Sequence, residues 1–409
     1  MNIFQRIFSI TNEPMEKVIY LFGIRFEIDR SNIFKLKYKH RSINNKKIVF
    51  SQFMGKGYGC NPKYIANEIL RQKLPYELVW LINDVSDEEL TKDIPEQIRL
   101  VPFHSKKAIK ELATAKIWID NQRKNYFIKK GLVKKNNQYY IQTWHGGLGI
   151  KKFDADLDDN TTLTYQQYSK LDSSLIDYLL SNSKFENEVF NSAFWYDGKI
   201  VQIGHPRNDV FFENSDKLKE KVFSTLNLSA DTKIILYAPS FRDDSRLYCF
   251  GLEYKKLLKK VSEKFGGKWV VLVKLHPRLA RYATKIIPNQ DDIIDVTSYS
   301  DIQELLLASD MMITDYSSCM FDFMLSRKPA FIYAVDIEEY NSERGFYYPL
   351  EETPFPIAQD NEALLNNILN LNLEEYKTKV DSFLLNKGCI EDGKASIRTV
   401  ELIKSLMES

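Results

Sequence analysis

The stretch Gln142–Asp156, QTWHGGLGIKKFDAD, sets a histidine beside a tryptophan, follows it with three glycines in four residues, and then places two lysines and two aspartates. A histidine titrates near neutrality, so His145 suits proton transfer. Gly146 and its neighbours let a ligand approach the backbone, and Lys151 and Lys152 suit phosphate groups. Four more polar clusters follow apolar runs: QIGHPRND with His205 and Arg207, LYAPSFR with Ser240 and Arg242, LVKLHP with Lys274 and His276, and ITDYSS with Thr314, Asp315, Ser317 and Ser318. In open parallel sheets, ligands collect at the carboxyl ends of strands, where helix N-termini present unpaired N–H groups. Five clusters at five strand ends exceed what turn chemistry alone calls for.

Each cluster also has a plainer reading. His205-Pro206 serves equally well as a turn, and His276-Pro277 ends its strand, which frees the direction of the ring. TDYSS caps the helix that follows it, and the same two hydroxyls and free N–H groups would cradle a phosphate. The glycines of GKGYG, residues 55–59, lack dinucleotide-binding spacing and suit a loop open to an acceptor. No HxxxH or CxxC pair occurs, and DADLDD at 154–159 suits a cation or an ordinary loop, so no dedicated metal site is expected.

The elements that must position these groups alternate between strand and helix. KIVFSQF, ELVWLIND, IRLVPF, KIWID, QYYIQTW, YLLSNS and KIVQIG read as strands, with helices such as PKYIANEILRQ and SKKAIKELATA between them. After GHPRND a second series runs KIILYAPS, KWVVLVKLHP, DIIDVTS, DMMITDYSS and KPAFIYAVD, again with intervening helices. The pattern predicts an α/β protein: two Rossmann-like domains facing across a cleft, residues 46–205 and 206–409, the second ending in the helices NEALLNNILN and RTVELIKSLM. Residues 1–45 form a separate N-terminal segment, in which Ile3, Phe4, Ile7, Phe8 and Ile10 make the stripe of an amphipathic helix. Such a helix either docks on a bilayer surface or packs on its own domain.

The chain has 409 residues and a formal net charge of +2, which hides an asymmetry. Residues 1–205 hold 31 Lys and Arg against 23 Asp and Glu, and residues 206–409 hold 26 against 32. Nine basic residues and no acid lie between Arg30 and Asn67, and eight with no acid between Asn121 and Phe153. Such stretches suit phosphate-bearing partners, but no nucleic-acid motif accompanies them, so a polyanionic substrate or anionic lipid is expected rather than DNA or RNA. The four cysteines are scattered, so no disulfide framework is expected. With no apolar run of membrane-spanning length and no signal peptide, the expected location is cytoplasmic, peripheral on the inner face of the membrane.

Taken in order, WHGG…KK, GHPRND, LYAPSFRDD, VKLHP, TDYSSCMFDF and KPAFIYAVDIEEYNSERGFYY resemble the motif series of the CDP-glycerol glycerophosphotransferase family, the teichoic-acid primases and polymerases and related capsule enzymes. The match spans roughly 140–350. The resemblance implies a GT-B-like fold, an N-terminal domain for a polyanionic or lipid-linked acceptor, and a C-terminal domain for CDP-glycerol or another CDP-polyol. It implies attack by an acceptor hydroxyl on the phosphorus next to glycerol, with CMP leaving and no cofactor required. His145 matches the histidine of WHG and becomes the general base; His276 matches that of HP and holds the diphosphate. Ser240, Arg242, Thr314, Ser317 and Ser318 become diphosphate ligands, and Asp315 engages the donor or orients a catalytic partner. Asp336 is placed at a polyol hydroxyl and Arg344 at the leaving phosphate. Two departures stand out: GLGIKK replaces the proline-containing turn after WHG, and TPFPIAQ lacks the usual Pro-Gly pair. The competing readings are a nucleotide-sugar glycosyltransferase of the same fold and a non-catalytic polyanion-binding protein at the membrane surface.

Overall fold

The computed structural model describes residues 8–13, 16–22, 24–38, 40–157, 161–213, 216–242 and 246–409. Runs such as Leu78–Ile82 and Trp269–Val273 are buried along their whole length. Continuous apolar strands of this kind belong inside parallel sheets covered on both faces, and two such sheets form.

The first holds β4 (Asn44–Ser51), β5 (Glu77–Ile82), β6 (Arg99–Pro102), β7 (Ala115–Asp120), β8 (Tyr139–Gln142), β9 (Tyr178–Ser181) and β10 (Lys199–Gln202), in the order β10-β9-β8-β7-β4-β5-β6. The second holds β11 (Lys233–Tyr237), β12 (Trp269–Val273), β13 (Ile293–Asp295), β14 (Met311–Thr314), β15 (Ala330–Tyr333) and β16 (Ile357–Ala358), in the order β13-β12-β11-β14-β15-β16. All neighbours within both sheets run parallel. In each sheet the chain builds outward on one side and then returns to build on the other. The reversal falls between β4 and β7 in the first sheet and between β11 and β14 in the second. Helices start where polar side chains replace missing helical partners: Ser105, Ser183, Asp301 and Asp360 each accept a bond from the first turn, worth about 1 kcal/mol apiece.

Buried ionic contacts join the halves. Lys63 Nζ of the first half lies 2.7 Å from both Asp301 Oδ2 and Glu304 Oε1 of the second, and Asn61 of the first half accepts from Arg207 N, whose side chain makes paired bonds of 2.9 and 3.1 Å to Asp322. Residues 148–152 leave the first sheet and join the second half, where Leu148 and Ile150 enter the core and Lys152 N donates to Gly345 O at 3.1 Å.

Two sequence expectations change here. The closing helix Ala395–Glu408, grouped with 206–409 by chain order, packs Val400, Ile403 and Leu406 among Ile48, Ile65 and Ile117 of the first half. Its apolar stripe matches the face that helix Cys60–Arg71 leaves uncovered. Phe8 and Ile10 lie on a strand rather than an amphipathic helix: β1 (Phe8–Glu13), β2 (Glu16–Leu21) and β3 (Ile24–Asp29) form an antiparallel sheet. Their spacing of two fits a strand as well as a helix, and pairing with β2 decides it. Ile3, Phe4 and Ile7 lie outside the described residues.

Candidate functional site

The two chain reversals mark the places at the carboxyl ends of the sheets where parallel sheets of this kind open crevices. In the first, β4 runs into Phe53 and β7 into Asn121. His145 sits on both, its ring 5.2 Å from that of Phe53 and its Nδ1 2.7 Å from the Asn121 carbonyl oxygen. In the second, β11 runs into Ser240 and β14 into Asp315–Ser318. Gly146 and Gly149 close the gap, since a Cβ on either would lie 3.6 Å from Ser318 Oγ or 3.4 Å from Ser318 Cβ.

The carbonyl of Asn121 only accepts, so His145 Nδ1 carries the proton and Nε2 keeps its lone pair. Burial is the main cause that pushes the His145 pKa down to about 4; the Asn121 carbonyl pulls upward, and Arg207, Lys151 and His205 add to the depression. His145 is therefore neutral near pH 7 with a free ring nitrogen, the state a general base requires.

His276 has the opposite polarity. Its Nδ1 accepts from Arg278 N at 3.2 Å, so Nε2 carries the hydrogen and the ring offers a donor. Desolvation pushes it down to about 4, and Arg278, Lys56 and Lys151 contribute in the same direction. Lys151 contributes to the depression of both histidines. Its neighbourhood joins Lys56 from the first half to Arg278 from the second, a concentration of positive charge suited to a diphosphate.

Trp144, just before the base, takes a left-handed conformation with φ 48°. Its backbone is held by Gln142 Oε1, which accepts from Trp144 N at 2.9 Å, and by Asn61. The Asn61 amide reaches the carbonyls of Thr143 and Trp144, each at 3.2 Å, while its oxygen accepts from Arg207 N at 3.1 Å. Asn61→Ala is expected to cost about 1–3 kcal/mol in thermal unfolding through the buried carbonyls it strands. It is also expected to lower turnover by up to about 100-fold by displacing His145, as steady-state rates on the folded variant would show.

Other predicted ligands are committed to holding the fold. Arg242 is 2 % exposed; its guanidinium makes bonds of 2.6 and 2.9 Å to Asp336, donates to Ser240 O at 2.9 Å and lies 3.0 Å from Asp315 Oδ2. Tyr316 and Tyr340 flank it. Arg242 and Asp336 thus satisfy each other, as a buried charge costs far less when paired. Asp315 accepts from Ser240 N and Tyr316 N, and Thr314 Oγ1 donates to Ala238 O at 2.6 Å, so both brace the loop rather than line the opening. His205 is fully buried between Glu186, 2.9 Å from Nε2, and Asn61, 3.3 Å from Nδ1. Lys274 donates to the carbonyls of Thr297 and Tyr299, and burial pushes it down to about 8.

Ser317 and Ser318 remain half-buried at the opening. Ser317 Oγ accepts from Cys319 Sγ, and Ser318 makes no capping bond. The Ser240 hydroxyl is buried with no partner among the described residues. Arg344 is exposed at the end of helix Ile337–Arg344, next to the Gly345 that pairs with Lys152. Sequence reasoning missed Lys56, Arg278, Phe53, Asn61 and Asn121; the signal for Lys56 lay in the acid-free run around it. Among the described residues, no group of three or more His, Cys, Asp or Glu is placed to hold a metal ion.

Comparison with known proteins bears directly on this arrangement. Residues 32–405 match the family model described as CDP-Glycerol:Poly(glycerophosphate) glycerophosphotransferase. A teichoic acid poly(glycerol phosphate) polymerase of Staphylococcus epidermidis is 33% identical over 388 residues, covering 91% of this chain and 52% of its own length. The chain thus spans about half the length of that relative. A polymerase of the same description from Bacillus spizizenii is 32% identical, with 88% of this chain and 92% of its own length covered. The solved structure of the wall teichoic acid polymerase TagF superposes with a TM-score of 0.79 at 32% identity, covering 93% of each chain. With a matched family model over nearly the whole length and the same parallel-sheet architecture at that identity, the chain belongs to the CDP-glycerol:poly(glycerophosphate) glycerophosphotransferase family.

Proposed function

We propose that this protein transfers glycerol phosphate from CDP-glycerol to a hydroxyl of a teichoic-acid-like polymer or its lipid-linked precursor, releasing CMP. The observation that carries this reading is the pair of neutral histidines with opposite proton positions, His145 as acceptor and His276 as donor, around the positive charge of Lys151. In this reading His145 Nε2 takes the proton of the acceptor hydroxyl, whose oxygen attacks the phosphorus bearing glycerol. The bond from that phosphorus to the bridging oxygen breaks, and CMP departs with its charge met by His276 Nε2–H, Lys56 and Arg278. Ser317, Ser318 and Ser240 contribute hydroxyls to the donor, and Arg344 adds charge at the rim. Lys152 and the basic surface of 121–153 receive the acceptor's phosphates.

The architecture in this reading is GT-B-like, with residues 46–205 as the acceptor side and the sheet from 206 onward as the donor side. The work is done at the cytoplasmic face of the membrane; among the described residues no helix is long and apolar enough to cross one. The test is mass spectrometry of short synthetic acceptors incubated with CDP-glycerol and CDP-ribitol in parallel. The expected result is acceptor growth by glycerol phosphate units with matching CMP release. Acceptors left unextended with both CDP-polyols intact, and glycosylated instead in a third arm that supplies a nucleotide sugar, would overturn the reading.

A further inference from the structure

His205 of QIGHPRND takes no part in the proposed chemistry, yet both of its ring nitrogens are engaged. The side chain is fully buried, Nε2 lies 2.9 and 3.1 Å from the two carboxylate oxygens of Glu186, and the backbone N donates to Glu391 at 3.1 Å. A carboxylate accepts, so Nε2 carries the hydrogen and Nδ1 turns a lone pair toward the Asn61 amide nitrogen, 3.3 Å away.

The polarity passes on through Asn61. Its NH2 group faces the Nδ1 lone pair, and its oxygen faces Arg207 N, a donor, at 3.1 Å. That orientation delivers the same amide nitrogen to the carbonyls of Thr143 and Trp144, both at 3.2 Å. Turned over, the amide would set oxygen against two carbonyls and a lone pair, and NH2 against an N–H. Trp144 holds the left-handed turn, φ 48°, immediately before His145. A second contact reaches the same loop: a Cβ on Gly147 would lie 3.6 Å from His205 Cδ2, so the ring edge packs against the glycines that follow His145.

We infer that Glu186 and His205 are positioning residues: the carboxylate fixes the proton of His205, the ring fixes the Asn61 amide, and the amide fixes the backbone that carries His145. This role rests on His145 serving as the base of the proposed transfer. The test compares His205→Asn with His205→Gln. Asparagine sets its amide oxygen where Nδ1 lies and still accepts from Asn61, but falls short of Glu186; glutamine reaches Glu186 with its amide nitrogen and offers Asn61 no acceptor. Stability and turnover should therefore rank the two variants in opposite order. His205→Gln is expected to keep the higher Tm and to lose kcat by at least about tenfold, with donor KM within about twofold of the parent. His205→Asn unfolds at a lower temperature and retains most of its kcat. Added to Asn61→Ala, His205→Gln should lower kcat no further, since both act through one amide. Ring resonances of isotope-labelled histidine, with the His145 signal assigned through His145→Gln, report its position without turnover: the signal moves in His205→Gln and stays in His205→Asn. Should His205→Asn lose cooperative unfolding by stranding the Glu186 charge, adding Glu186→Gln removes that charge and keeps both readouts. A kcat that follows Tm across the two variants, losses from His205→Gln and Asn61→Ala that multiply, or a His145 resonance indifferent to both substitutions overturns the inference. A parent protein without transfer activity would overturn the proposed function instead, and the resonance would still decide the positioning.

Discussion

His145→Gln is expected to lower glycerol phosphate transfer from CDP-glycerol by about 10²- to 10⁴-fold, the usual contribution of a positioned general base. Glutamine retains an N–H able to reach the Asn121 carbonyl, so the local hydrogen bond survives while the basic lone pair does not. Thermal unfolding and donor binding should therefore change little, and single-turnover rates should carry the loss. A variant that kept most of its turnover would remove His145 from the base role.

The same geometry sets the pH response. With its pKa held near 4, His145 stays deprotonated down to about pH 5, so kcat/KM is expected to remain level there and decline only as pH approaches 4. An ordinary histidine would start to fail near pH 6.5. Lys151→Met removes one positive neighbour and should move the acid limb upward. Stability follows the same sign: the folded-state pKa lies below the unfolded value of about 6.5, so the contribution of neutral His145 is complete above 6.5. It is lost as pH falls toward about 4, and Tm measured across that interval should fall accordingly.

The largest stability effect is expected at Lys63→Met. Burial disfavours the Lys63 ammonium, but Asp301 and Glu304 outweigh it and hold its pKa above the ordinary lysine value. Removing the cation leaves Glu304 with Lys221 as its remaining cation and Asp301 with neutral donors, Tyr64 and Gln303 N–H, both carboxylates having nearly no solvent contact; breaking a buried pair in this way costs about 3–5 kcal/mol. Denaturant unfolding should show this loss. Because the contact spans the two halves, the lower stability should come with weaker coupling between them. Adding Glu304→Gln to Lys63→Met should recover part of the loss, since one of the stranded charges is then gone. An unchanged midpoint in Lys63→Met would show that the halves do not depend on this contact.

Much of the architecture was legible in the chain. Parallel strands buried on both sides need long apolar runs, and LVWLI and WVVLV announce themselves without a partner in view. His145 was legible for a related reason, because a histidine placed where a buried strand runs into glycines has few plainer uses. The duties of charged residues were harder to read. Arg242 and Asp336 lie 94 positions apart, and only the packing of the loops after β11 and β15 brings them together as a pair. His205 became a buried strut because Glu186 and Asn61 converge on its two nitrogens. Lys56 adds to the depression of His276 from more than 200 positions away along the chain, an influence that spacing along one strand cannot report.

Residue type and period thus settled which segments are strands, where the polar groups gather and which half is positive, since each depends on a local preference or a simple count. Proton placement on His145 needed the tertiary structure. Its Nδ1 meets the carbonyl of Asn121 on another loop, a partner set by packing, whereas His276 accepts from the N–H of Arg278 in its own turn, a local contact. The fate of the N-terminal apolar residues was decided in the same way. Phe8 and Ile10 fit two periodicities equally, and the strand Glu16–Leu21 beside them chose one, leaving an apolar face outward.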